Sequence, residues 1–191
     1  ATAAVDRQYA WDPVDGLYRG ETSFLDWRAQ TSPRWVAEDT VHIGMSKSLS
    51  TNLDHLFLLR ALESLTGEAH GAADLATAID AGFWQGDHYA NFLGTTLDGG
   101  AAALRDLLAT SLAILDLGTH PEALASYPFG ARGPPVIHPQ QQNTPIYHNR
   151  GTWPFVTAYG ALAARAAGNG AALDAGLDSL VRGTALNLSH M

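Results

Sequence analysis

From about residue 50 onward, apolar side chains recur at three- and four-residue intervals. Leu53, Leu56, Phe57, Leu59 and Leu62 share one helical face, with Ser50 or Thr51 as the capping residue and Gly67 as the stop. The same period predicts a second helix over residues 71–83, a third over 101–115 and a short fourth opening at His120-Pro121-Glu122. A fifth starts near Thr152-Trp153-Pro154, and a sixth runs from about Ala171 towards the end. Pro121 and Pro154 suit a first helical turn, where no backbone N–H is needed. Between these elements, residues 86–99 read as a small β-hairpin, and residues 127–151 as a long loop rich in Pro, Gly and Gln. Residues 1–46, punctuated by Pro13, Gly16, Gly20, Pro33 and Gly44, read as loops and short strands.

The first, third and fifth helices begin near Thr51, Ala101 and Thr152, so a helix pair returns about every 50 residues without an internal sequence repeat. Short antiparallel pairs at a fixed interval predict an all-α ring or solenoid of helical hairpins. By spacing alone, residues 1–191 read as one unit, an irregular segment (1–46) followed by three helical hairpins (47–191).

Composition narrows the functions. The hydrophobic content of 46% and charged content of 16% are those of a globular chain. A net charge of −8, with Lys47 as the single lysine, repels phosphate backbones and argues against a nucleic-acid partner. No apolar run approaches the ~20 residues of a membrane span. Without cysteine there is neither disulfide nor thiolate chemistry. The first methionine is Met45, and residues 186–191 end without a cap. We read the chain as incomplete, with a periplasmic or secreted origin favoured over a cytoplasmic one.

Candidate chemistry concentrates in residues 18–35, where Tyr18, Arg19, Glu21, Phe24, Asp26, Trp27, Arg28, Arg34 and Trp35 mix carboxylates, guanidinium groups and aromatic rings. Glycoside hydrolysis uses such a set: paired carboxyls, flat platforms and fork-shaped donors for hydroxyls. Asp26 lies between Leu25 and Trp27, an apolar setting of the kind that keeps a carboxylic acid protonated. Its bland alternative is a helix cap or a partner for Arg28.

The segment Glu21-Thr22-Ser23-Phe24-Leu25-Asp26-Trp27-Arg28, continuing to Pro33-Arg34-Trp35, resembles the one that carries the general acid in trehalases and processing α-glucosidases. There it reads Glu-Ser-Gly-Trp-Asp-Phe-Ser followed by Arg-Trp; here the glutamate–aspartate spacing differs by one residue. The resemblance implies that Asp26 is the acid and that Glu21, Trp27 and Arg28 contact substrate. Tyr147-His148-Asn149-Arg150-Gly151-Thr152-Trp153-Pro154 is similar to the loop entering a toroid helix in the same enzymes, which implies saccharide contacts by Tyr147, His148, Asn149 and Trp153. Trp153 can equally be a core residue at a helix start. Phe83-Trp84, Tyr89 and Phe92-Leu93, then Asp98-Gly99 and Leu104 to Leu108, look like a supporting hairpin-then-helix passage of that superfamily.

The resemblance implies one partial α/α toroid over residues 1–191, with residues 1–46 as its active-site loop segment and residues 47–191 as three of its helical hairpins. The implied activity is inverting hydrolysis of an α-linked gluco- or manno-configured saccharide. No glutamate follows Glu122, so the base is expected outside this chain, with the remaining half of the toroid as partner and residues 1–191 inactive alone. No cofactor is expected; a structural calcium held by Asp and backbone oxygens fits the composition. The eight histidines (His42, His55, His70, His88, His120, His138, His148 and His190) show no metalloprotease spacing, and no Gly-x-Ser-x-Gly occurs. Gln140, Gln141 and Gln142 read as a solvated polar loop, and Glu38-Asp39 as surface acids. The competing function is a non-catalytic helical carbohydrate-binding or scaffold protein, which needs no second carboxylate.

Overall fold

The computed structural model describes residues 2–20, 46–93, 104–140 and 150–188. Its elements in chain order are α1 (Thr2–Tyr9), β1 (Lys47–Ser48), α2 (Leu49–Thr66), α3 (Ala72–Phe83), β2 (Phe92–Leu93) and β3 (Arg105–Asp106). Then come α4 (Leu107–Leu117), a single 3₁₀ turn (Pro121–Leu124), β4 (Ile137–His138), α5 (Pro154–Ala166) and α6 (Gly170–Leu188). The chain is mostly helical, as the 3.6-residue period predicts.

Helix α2 starts earlier than the sequence suggests. Its cap is Ser48, whose Oγ accepts the Thr51 N–H at 3.2 Å, and not Ser50 or Thr51. Ser50 is buried inside the first turn. Gly67, in the left-handed region at φ 72°, stops the helix and donates to Glu63 O. Glu63 in turn caps α3: its Oε1 accepts the N–H groups of His70 (2.8 Å) and Ala72 (3.1 Å). Those two bonds, His70 first, hold its carboxyl below the usual carboxylate range. A side chain of one helix thus caps the next, which fixes the α2–α3 hairpin.

Helices α2, α4 and α5 stand in a row, α4 touching both neighbours. Behind the row, α3 packs on α2, α6 packs on α5, and the 3₁₀ turn packs on α4 and α5. Small residues allow the close approach. A Cβ on Gly160 of α5 would lie 3.3 Å from a Leu107 methyl, and one on Gly176 of α6 would lie 3.3 Å from the Ala161 Cβ. The shared core joins Leu53, Leu56, Ile79, Phe83, Tyr89, Leu107, Leu108, Ala113 and Ala164. Burying one such Leu or Phe side chain contributes about 1.5–3 kcal/mol.

Three sequence expectations need correction. The middle unit is not a helical hairpin, because α4 is followed by only the four-residue 3₁₀ turn. Gly118 (φ 70°) and His120 (φ 49°) leave the helical region there. The hairpin expected at residues 86–99 lies further upstream: Trp84 bridges Tyr89, with Ala90 N donating to Phe83 O and Gln85 N to His88 O. Within the expected range Phe92–Leu93 pairs antiparallel with Lys47–Ser48, and residues 94–99 lie outside the described residues; Arg105–Asp106 pairs antiparallel with Ile137–His138. Residues 2–9, expected as loop, are the helix α1, since the Ala-rich Thr-Ala-Ala-Val-Asp-Arg-Gln-Tyr run favours helix more than Pro13 and Gly16 disturb it.

After α1, a turn closed by a Trp11–Tyr18 bridge is gripped by Asn52 of α2. Asn52 accepts from Tyr18 N at 2.7 Å and donates to Tyr18 O at 3.0 Å. Beside it, Lys47 Nζ meets Asp12 Oδ2 at 2.7 Å and Asp15 Oδ2 at 2.5 Å, and Arg19 reaches the same Asp12 oxygen at 2.7 Å. The Lys47 hydrogen bond, then that from Val14 N, pulls the Asp12 carboxyl down to about 2. A carboxyl whose pKa falls on folding stabilises above its ordinary value, near 3.9, and loses that contribution as pH drops through its folded value. Lys47→Met should therefore lower the urea midpoint at pH 7, with the gap to wild type closing between about pH 4 and about pH 2. An equal gap at pH 7 and pH 2 would remove the ion pair as the cause.

Candidate functional site

Each helix of the front row is entered by a short extended segment, and backbone hydrogen bonds lace these entries together. Leu49 N donates to Asn91 O at 3.0 Å, and Asn91 N to Leu104 O at 2.9 Å. The next step repeats the scheme: Leu107 N donates to Val136 O and Val136 N to Gly151 O, both at 2.9 Å. At the first unit, Gly20 N donates to Ser46 O at 3.0 Å. The starts of α2, α4 and α5 consequently lie at one end of the row.

This lacing closes the base of three excursions of the chain. Residues 21–45 leave and return through the Gly20–Ser46 bond, residues 94–103 through Asn91–Leu104, and residues 141–149 through Val136–Gly151. Glu21, Asp26, Trp27 and Arg28 fall on the first excursion and Tyr147, His148 and Asn149 on the third, outside the described residues. Their attachment points are described, and the structure brings those points to one end. Trp153 is described. It is the N-cap residue of α5, half-buried against the core and edge-on to Phe155 at 6.3 Å between centroids.

The fourth residue of each front helix is polar and buried: Asn52, Thr110 and Thr157. Asn52 holds Tyr18, whereas the hydroxyls of Thr110 and Thr157 find no partner among the described residues. Asn91, the hub of the first lacing step, has both amide atoms buried and unpaired in the same sense.

Beside the third excursion lies a cleft of about 920 Å³, lined by residues that include Arg132, Gly133, Ile137, His138, Gln140, Arg150 and Thr152. Gln140, expected as a solvated loop residue, is exposed and also stands at the lip of this cleft, accepting from Arg150 Nη1 at 3.3 Å. Burial, then the Arg105 charge, pushes the His138 pKa down, so its imidazole is neutral at pH 7. A second cavity of about 440 Å³ lies between α5 and α6 and is lined by Thr157, Ser179, Leu180 and Arg182 among others. Both cavities share Ala131, Arg132 and Thr152.

Sequence reasoning did not single out Arg132, His138, Thr157 or Ser179. Only the fold gathers them, although one signal was visible: residues 123–173 contain neither Asp nor Glu. No group of three or more His, Asp or Glu side chains suited to a metal occurs among the described residues. His120 lies between Asp80 (3.2 Å) and Glu122 (3.1 Å) and flat on Trp84, fastening α3 to the turn after α4.

Gly133 is part of the wall of the first cavity, against Ser179 of the second and Thr152 of both. It takes φ 98°, and a Cβ there would stand 2.7 Å from the Thr152 methyl and closer still to Ser179 Oγ. Gly133→Ala should lower stability by roughly 1–3 kcal/mol, from the left-handed backbone plus the clash. Urea unfolding checks this, and unchanged stability would show that the wall yields freely. No protein-family model, curated protein or solved structure matches the chain.

Proposed function

We propose that the chain is the acid-bearing part of an inverting glycoside hydrolase for α-linked gluco- or manno-configured saccharides. One observation supports this above others: the lacing hangs the two segments that resemble the acid loop and the sugar loop of trehalases from the same end of one helical row. Catalytic groups commonly ride on loops held by a rigid scaffold. A cleft wide enough for a sugar unit opens beside one of those attachment points.

In this reading Asp26 donates the proton to the glycosidic oxygen. Glu21, Trp27, Arg28, Tyr147, His148, Asn149 and Trp153 position the sugar, Trp153 from the start of α5. A second carboxylate, supplied by the remaining half of the ring, activates water on the opposite face. α5 offers that half a stripe to pack on: Phe155, Tyr159 and Leu162 recur at helical spacing and are exposed. The acid and base then lie roughly 6.5–9.5 Å apart, the separation that leaves room for a water.

Residues 1–191 alone should bind saccharide and leave it intact. In the complete enzyme, Asp26→Asn should preserve binding and reduce turnover by about 10²–10⁴-fold, because the amide keeps the shape and cannot give the proton. NMR of the first products should show the anomer opposite to the substrate's. Near-normal turnover in Asp26→Asn, or retention of configuration, would refute the assignment. Saccharide binding without turnover in the complete protein would indicate the non-catalytic alternative.

A further inference from the structure

The two cavities that share Arg132 form one groove, and its charge opposes that of the molecule. The chain carries 19 Asp and Glu against 11 Lys and Arg. Yet three of its ten arginines (Arg132, Arg150 and Arg182) line this groove, and none of its described lining residues is acidic. Arg182 is paired with Asp178 of the same helix, one turn away. Arg132 makes no ion pair among the described residues, and Arg150 meets only the neutral Gln140 amide.

One further feature, at the second cavity, turns the same way. The side chain of Trp153 offers no capping oxygen to the first turn of α5, whose Pro154 lines the same cavity. Helix starts of this kind favour negative charge.

We propose that this groove is a subsite for an acidic sugar unit, its carboxylate or sulfate held by Arg132 and Arg150. The inference rests on the glycosidase reading for the word sugar, and on the groove alone for the word acidic. It narrows the substrate class to anionic oligosaccharides, uronate-bearing or sulfated, that extend beyond the bond being cleaved. Guanidinium groups suit both anions because their forked donors match paired oxygens.

The test is calorimetric titration of the 191-residue chain with three probes: an α-linked glucuronosyl disaccharide, its carboxyl-reduced neutral counterpart, and a sulfate ester of that neutral sugar. At low salt an acidic probe should bind about tenfold more tightly than the neutral one, and added salt should narrow the margin. Arg132→Gln and Arg150→Gln, both on exposed side chains, should each cut the preference severalfold, and together they should abolish it. Arg165→Gln, further along α5, should leave it unchanged. Which acidic probe shows the arginine dependence identifies the anion. Equal binding of acidic and neutral probes, no binding of either acidic probe, or a preference that survives in the double variant overturns the proposal. Turnover by the complete enzyme is read separately, so an inactive Asp26→Asn variant with no acid preference would spare the glycosidase reading while removing this one.

Discussion

Everything at the end of the molecule where α2, α4 and α5 begin depends on how the backbone groups at the three helix starts are satisfied. A helix leaves its first N–H groups without intrahelical acceptors, and burying them unpaired is costly. Here the first residue of α2 and of α4 donates to a carbonyl of a neighbouring segment, and that segment donates onward to the entry of the next helix. Ser48 and Asp106 take up N–H groups further in, Asp106 accepting from Leu108 (2.8 Å) and Ala109 (3.1 Å). The bonds are ordinary ones, each contributing about 0.5–1.5 kcal/mol. Their arrangement matters more than their strength, because it brings the described residues on either side of 21–45, 94–103 and 141–149 to one end of the row.

The helical part of this design was legible because it rests on a local rule. Leu53, Leu56 and Leu59 are buried at the spacing the sequence displays, and Gly67 ends the helix in the conformation its identity suggests. The strands were not legible. Lys47–Ser48 and Phe92–Leu93 are two residues each, too short for any period to show, and they pair across an intervening helical hairpin. The missing outer helix of the middle unit was half visible in Gly118 and Pro121 but was read as a short helix, since proline suits a first turn of either kind. At the candidate site, the reading of Asp26 and the residues around it rests on resemblance, and these residues lie outside the described ones. The arginine groove was not legible, because Arg132, Arg150 and Arg182 are distant in sequence and only folding brings them to two cavities that share Arg132.

The third unit departs from the other two in a way that sets the character of the groove. Where α2 and α4 begin with leucines that donate to a neighbouring carbonyl, α5 begins with Pro154, which has no N–H. The lacing therefore cannot pass α5 by the same bond. Ser48 and Asp106, the polar caps of the first two units, are replaced by Trp153, which packs on the core instead of bonding the first turn. Two losses at one helix start would ordinarily be repaired by a nearby acid, since carboxylates are favoured there. Between Glu122 and Asp174 the sequence supplies none. The charged side chains lining the cavity at this start are instead Arg132 and Arg182. With the helix N-terminus they add positive charge to positive charge, so the third unit favours an anion where the first two are closed by their own caps.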